Sequence, residues 1–472
     1  MLEPISRKNW NAETAALLLA RAGFGGTPEQ IAAMVRKGPE RSVLELVDYE
    51  KIRQVNSAPA WARIDKGRRP GKMSGLSEAA RRARRRQRRR KERANIQALG
   101  QWWLERMRVS RRPLQEKLTL FWHGHFATSF QKVKSAYCMW RQNQMLRKGA
   151  NGNFRELVVG IAQDPAMLIY LDGARSRKRA PNENFARELM ELFTMGEGNY
   201  TEEDIKASAR AFAGWNIARD RFAFQKNTRQ MDTGTKTFMG RTGNLTGEDI
   251  IDTILQQDAT SRFIARKLWT FFAYEEPSSR LERALARKLK ESNYELKPVL
   301  TTMFLSREFY GRKSLRRQVK GPVQFLVQST KELDTKLPSA ALNRNILNGL
   351  GQVLFAPPNV KGWDGGFSWI TSTSITGRRR VARYLVIGVP RGKNRRSALS
   401  VKKILPASLR KDPRVVRETL QARLFGGSGL RAEDRKAFDA LVAENKSGAT
   451  WTDDGVRRIM VGMMEHVQYQ LT

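Results

Sequence analysis

Two imidazoles one residue apart, His123 and His125 in Phe121-Trp122-His123-Gly124-His125-Phe126, are the groups of this chain best placed for metal or acid-base chemistry. On a strand they would share a face, but on a helix they diverge by about 200°. Joint ligation of a metal therefore requires the backbone to leave the helix, which Gly124 allows. The alternative is a helix that opens at Pro113 and ends at Gly124, with both rings satisfied by backbone carbonyls beside a buried Trp122. His466 is the only further imidazole, so carboxylates would have to complete any metal site.

Such carboxylates come from residues 182–193. Asn182 has the chemistry of an N-cap, and Phe185, Leu189 and Leu192 form an apolar stripe. Asn184, Glu188 and Glu191 share the opposite flank, while Arg187 is spaced to pair with Glu183 and Glu191. Two readings stand: a face that holds a divalent cation or does acid-base work, or a solvated, ion-paired surface. Asp172 ends the preceding helix, and Arg175, Arg177, Lys178 and Arg179 crowd the connecting loop. The candidate site gathers His123, His125, Asp172, Asn182, Glu183, Asn184 and Glu188. Within it, His123, His125, Glu183 and Glu188 are the catalytic candidates, and His123, His125, Asp172 and Glu183 the candidates for a divalent metal.

Other segments read more plainly. Residues 232–236, Asp-Thr-Gly-Thr-Lys, suit either an anion cradle or a glycine-rich surface turn, and their spacing is not that of a phosphate-binding loop. Residues 357–369 are too rich in Pro, Gly and Trp for helix or strand, and pack two tryptophans over the core. Cys138, flanked by apolar residues, is a packing residue.

These groups must be positioned by helices, because helical caps and 3.6-residue periodicity dominate the chain. Thr27-Pro28-Glu29-Gln30 combines a hydroxyl cap, proline at the first position and glutamine at the third. Helices are expected over 97–109, 113–121, 183–194, 202–213 and 261–273, among others. Period-two alternation is confined to residues 221–225 and 236–239, one small hairpin in a β-poor insertion near 216–247. The fold class is mainly α: a large multi-helix domain, with basic, partly mobile extensions at 56–76 and 388–405. The divisions are N-terminal helices 1–55, a basic linker and Arg-rich segment 56–96, a main domain 97–376, a second basic linker 377–411 and C-terminal helices 412–472.

The 472 residues carry a formal net charge of +41, with 87 Lys and Arg against 46 Asp and Glu. Residues 62–93 hold +12 of it and residues 378–411 another +12. Arg81, Arg82, Arg84, Arg85, Arg86, Arg88, Arg89 and Arg90 decorate a helix on every side, and a helix polar all round is not buried. With Arg395, Arg396, Lys402 and Lys403 they are the expected contacts to a polyanion, such as nucleic acid, or else a solvated charge run. A single cysteine excludes a disulfide framework. No apolar run reaches membrane-spanning length and no signal peptide pattern opens the chain, so the expected compartment is the cytoplasm.

Several segments together resemble the bacterial family called domain of unknown function 1800. They are residues 17–25 (LLLARAGFG), 113–117 (PLQEK) with 121–126 (FWHGHF), 170–172 (YLD), 182–193 (NENFARELMELF), 200–205 with Gly214-Trp215, 232–236 and 357–369. The resemblance implies a mostly helical fold and supplies no catalytic residues. Relatives commonly carry a histidine where Met231 stands, and some carry one at Phe193, so a metal held there by relatives would be lost here. Relatives are often encoded beside an uncharacterised family similar to exported phosphatase-like proteins, which implies a protein partner from a neighbouring gene and an envelope association. The resulting expectation is a soluble helical protein of unknown activity whose basic segments bind a polyanion. A metal-assisted hydrolase and a structural binding protein without catalysis are the alternatives.

Overall fold

The computed structural model describes residues 2–54, 58–63, 75–218, 222–391, 394–396, 399–426 and 430–472. The fold is mainly α, with helices from Ala12–Arg21 to Asp453–Glu465 and, among the described residues, three separate two-stranded hairpins. Local chemistry explains many of the boundaries. Thr27 accepts from the backbone N–H of Gln30, whose side chain accepts from Thr27 N, the reciprocal cap expected from their spacing.

Two large apolar clusters form the interior. One is built mainly from residues before 311, the other from residues 99–139 and the chain beyond 322. The helix Pro113–His125 contributes to both: Leu118, Phe121 and Trp122 enter the first cluster and Leu120 the second. Every residue from Leu114 to His123 is buried. A helix enclosed on all sides is normally apolar, yet this one carries Gln115, Glu116, Lys117, Thr119, His123 and His125.

Arg21, fully buried in the first long helix, ties distant segments to this core. It donates to the carbonyls of Phe272 and Ala273 and, at 2.6 and 2.8 Å, to those of Ser314 and Thr472.

Several expectations change. The helix from Pro113 does not stop at Gly124 but continues through His125. Gly124 needs no special backbone angle and fits the helix, because its missing side chain faces the ring of Trp363. Residues 97–109 are the second half of a single helix, Glu78–Val109, which crosses residues 96 and 97 without a break. The β insertion holds two hairpins, Trp215–Ala218 with Ala223–Lys226 and Lys236–Phe238 with Arg241–Gly243.

Most of the 56–76 extension lies outside the described residues. The 388–405 stretch is not a structureless linker: it forms a third hairpin, Val389–Arg391 with Asn394–Arg396, and a short helix, Val401–Ile404. Leu399, Val401, Ile404 and Leu405 are buried in the second cluster, and that burial outweighs the local glycine and proline. The C-terminal helices share this cluster with Leu99, Trp103 and Phe355. Among the described residues no helix is long and apolar enough to cross a membrane.

Candidate functional site

Each polar side chain on the Pro113–His125 helix makes at least one bond, Gln115 through its amide nitrogen to the Arg147 carbonyl while its Oε1 stays unbonded, and the partners define what each can do. Glu116 sits between two guanidiniums: it pairs with Arg106 and, at 3.0 Å, with Arg147, and accepts from Trp103 Nε1 at 3.0 Å. Burial pushes its carboxyl upward, but the charges of Arg147 and Arg106 outweigh that and hold it below the usual carboxylate range. This is a structural ion cluster, closed to solvent.

His123 Nε2 accepts from the backbone N–H of Phe355 at 3.0 Å, so the ring is neutral with its proton on Nδ1. Its ring lies against Trp103, Phe355 and Trp363. His125 does the reverse, donating from Nε2 to the carbonyl of Phe193 at 3.0 Å among Phe121, Trp122 and Phe126. Burial lowers both imidazoles to about 3, helped for His125 by Lys267. The two rings thus have different partners, as helical geometry requires.

The carboxylates have other engagements. Asp172 pairs with Lys132 at 2.6 Å and with Arg175 at 3.5 Å, and its carbonyl accepts from Asn182. Asn182 caps the helix Glu183–Glu188 as expected, accepting from Asn184 N at 2.8 Å. That helix then widens into a π-helix, Leu189–Thr194, a form frequent near functional sites. Glu183 lies 3.9 Å from Arg187, and Arg187 also binds Glu202 at 2.8 Å. Half-burial and then the neighbouring Glu191 raise the Glu188 carboxyl, while Glu191 accepts from Tyr200 Oη at 2.9 Å. Among the described residues no three His, Cys, Asp or Glu side chains gather as a metal site. The imidazoles and acids expected to share one cation are distributed over separate ion pairs and backbone bonds.

Asp232 to Lys236 forms the surface turn and not an anion cradle. Lys236 Nζ donates to the carbonyls of Asp232 and Gly234, both at 2.8 Å, and Asp232 binds Arg210 at 2.8 Å. Cys138 is buried and its thiol is pushed up to about 12, as suits a packing residue.

The segments singled out in the sequence nevertheless converge, on a cavity of about 420 Å³. The Pro113–His125 helix supplies Lys117, Phe121 and His125, the π-helix supplies Leu192, and the 357–369 loop supplies Lys361, Trp363 and Trp369. Lys117 is the group that residue-by-residue reading passes over. It is 3% exposed, donates to Gln324 Oε1 at 2.6 Å, and has its ammonium position over the rings of Phe24 and Phe271. Burial, with help from the nearby Arg21 charge, holds its pKa well below the ordinary lysine value. The available signal was a lysine inside a helix with Leu114, Leu118, Phe121 and Trp122 around it. Gln318, Gln324 and Lys267, which complete the walls, carry no such signal.

No curated protein and no solved structure matches the chain. A family model does, over residues 17–471, described as protein of unknown function (DUF1800). With that match spanning nearly the whole chain, the protein belongs to the family of proteins of unknown function DUF1800.

Proposed function

We propose that the protein binds a polyanion, nucleic acid foremost, through the first half of the helix Glu78–Val109. The observation that carries this reading is a rod of charge. Residues 81–91 are all exposed, and nine of these eleven are Arg or Lys. Only from Asn95 onward does the helix enter the core, through Leu99, Trp103, Leu104 and Met107. The exposed part is about 16 Å long at 1.5 Å per residue, and Arg82 pairs with Glu78 at its start.

A surface of this kind suits phosphates at close spacing without reading bases, since binding of this type is driven by counterion release. Lys402 and Lys403, also exposed, and Arg395 and Arg396 on the third hairpin add cationic sequence elsewhere. The test is binding of a single-stranded oligonucleotide across a salt series, for the native protein and for a variant with all nine cations of 81–91 changed to Gln. Loss of affinity together with a flatter salt slope, by about 0.7 per phosphate contact removed, is expected. An unchanged affinity and slope would overturn the reading.

A further inference from the structure

We propose that the 420 Å³ cavity is a binding site for a small carboxylate with a planar apolar body, its charge held by Lys117 at the base. This site is independent of the cationic helix. Three observations lead to it. The cavity is of the size that takes small organic ligands. Its walls offer flat apolar surface, from Phe121, Phe271 and Trp363. Its base holds an amine with no carboxylate partner among the described residues.

A buried amine without a counter-charge is costly to keep protonated. Two other buried groups of cations are met by a carboxylate, Arg147 and Arg106 by Glu116 and Lys320 by Glu332, while the guanidiniums of Arg21 and Arg378 donate to backbone carbonyls. Lys117 instead has a glutamine oxygen, the Ala20 carbonyl at 3.5 Å, two aromatic rings and the like charge of Arg21. The other charged groups at the cavity wall are Lys267, Lys361, Glu275 and Asp364, two of each sign and all on exposed residues, with Lys361 4.0 Å from Glu197. His125 is held neutral by burial and by the nearby Lys267 charge. The deep end therefore has capacity for one negative charge, which matches a monocarboxylate better than a phosphate dianion.

A consequence separates this site from a merely structural lysine. Without a counter-ion the amine loses its proton readily, and a carboxylate arriving beside it restores the charged form. Binding therefore takes up a proton at any pH between the lowered value of the free site and the higher one of the complex.

The experiment is calorimetric titration of the full-length protein with 2-naphthoate at pH 7, 8 and 9, in two buffers of different ionisation enthalpy at each. One site with proton uptake is expected. Lys117→Met should weaken binding at least about ten-fold, the loss expected when one partner of a buried charge pair is removed. Trp363→Ala should weaken it several-fold, and the Gln variant of residues 81–91 should leave it unchanged. Lys117→Arg keeps a permanent charge, so it should bind without proton uptake, and this holds a test open even where Lys117→Met fails to fold. The proposal falls if uncharged 2-naphthalenemethanol binds as well as naphthoate, if inorganic phosphate displaces naphthoate at equal concentration, or if Lys117→Arg leaves the proton uptake unchanged.

Discussion

Gly362 and Gly124 approach so closely that a β-carbon on Gly362 would fall 2.2 Å from the Gly124 carbonyl oxygen. Gly362 also holds φ at +86°, a conformation that favours glycine. This contact seats the 357–369 loop on the end of the central helix and brings Trp363 beside His123, ring centroids 5.7 Å apart.

The two glycines should therefore respond in opposite ways to alanine. Gly362→Ala must shift backbone and adopt a strained angle, and is expected to cost about 2 kcal/mol or more while displacing Trp363. Gly124→Ala meets only the Trp363 ring, at an ordinary 3.8 Å. Inside a helix it should be neutral, or stabilising by about 0.5–1 kcal/mol. Urea unfolding of both variants checks the pair, and equal losses would refute the seating contact.

Glu116 gives a second prediction. Its carboxylate is fully buried, and Arg147 and Arg106 are nearly so. Glu116→Ala leaves two guanidiniums without their counter-charge and Trp103 Nε1 without its acceptor. A loss of about 3–5 kcal/mol is expected by denaturant unfolding. A loss under 1 kcal/mol would mean that water already reaches the cluster.

The buried imidazoles make stability depend on pH. Folded, His123 and His125 protonate only near pH 3, whereas an unfolded histidine does so near 6.5. Between those values the unfolded chain binds more protons, so stability is fully present above about pH 6.5 and declines as pH falls. Each ring contributes at most about 1.4 kcal/mol per pH unit. Buried Asp164, raised to about 7, opposes this over the same range, so the check is the difference between two chains: in unfolding free energies measured at pH 7, 6 and 5, His123→Gln, whose amide oxygen can still accept from Phe355 N, should lose less stability on acidification than the native protein. An unchanged slope in that variant would show that His123 does not stay neutral in the folded chain.

What the sequence disclosed depended on whether the responsible forces are local. The Thr27 and Asn182 caps, the exposed arginine helix and the turn at Asp232 are set by residues within a few positions, and they were legible. The hairpin and buried helix of the 388–405 stretch were not. Their stability comes from Leu399, Val401, Ile404 and Leu405 meeting a core made by distant helices. The cavity was least legible of all, because Lys117, Leu192, Lys267, Gln324 and Trp363 have no common period or motif. The segments nominated for chemistry do adjoin it, but through Lys117 and His125 rather than through the acidic face of residues 183–191. Helical spacing implied that His123 and His125 diverge unless the backbone breaks at Gly124; the fold shows an unbroken helix, with one ring reaching Phe355 and the other Phe193.

The cationic helix also carries a cost that a polyanion would relieve. Arg81 and Arg85, Arg82 and Arg86, Arg84 and Arg88, Arg85 and Arg89, and Arg86 and Arg90 are like-charged pairs four residues apart. Each opposes the helix by about 0.2–0.5 kcal/mol, and residues 81–91 are exposed and enter neither apolar cluster. Raising salt from roughly 0.05 to 0.5 M shortens the reach of this repulsion, and bound phosphates would neutralise it more completely. Amide hydrogen exchange over residues 79–91 should therefore slow several-fold at high salt, and further with an oligonucleotide at low salt, while residues 99–107 stay protected throughout. Exchange in 79–91 that is indifferent to both would show that repulsion does not limit this helix, and would remove the energetic reason for it to seek phosphate.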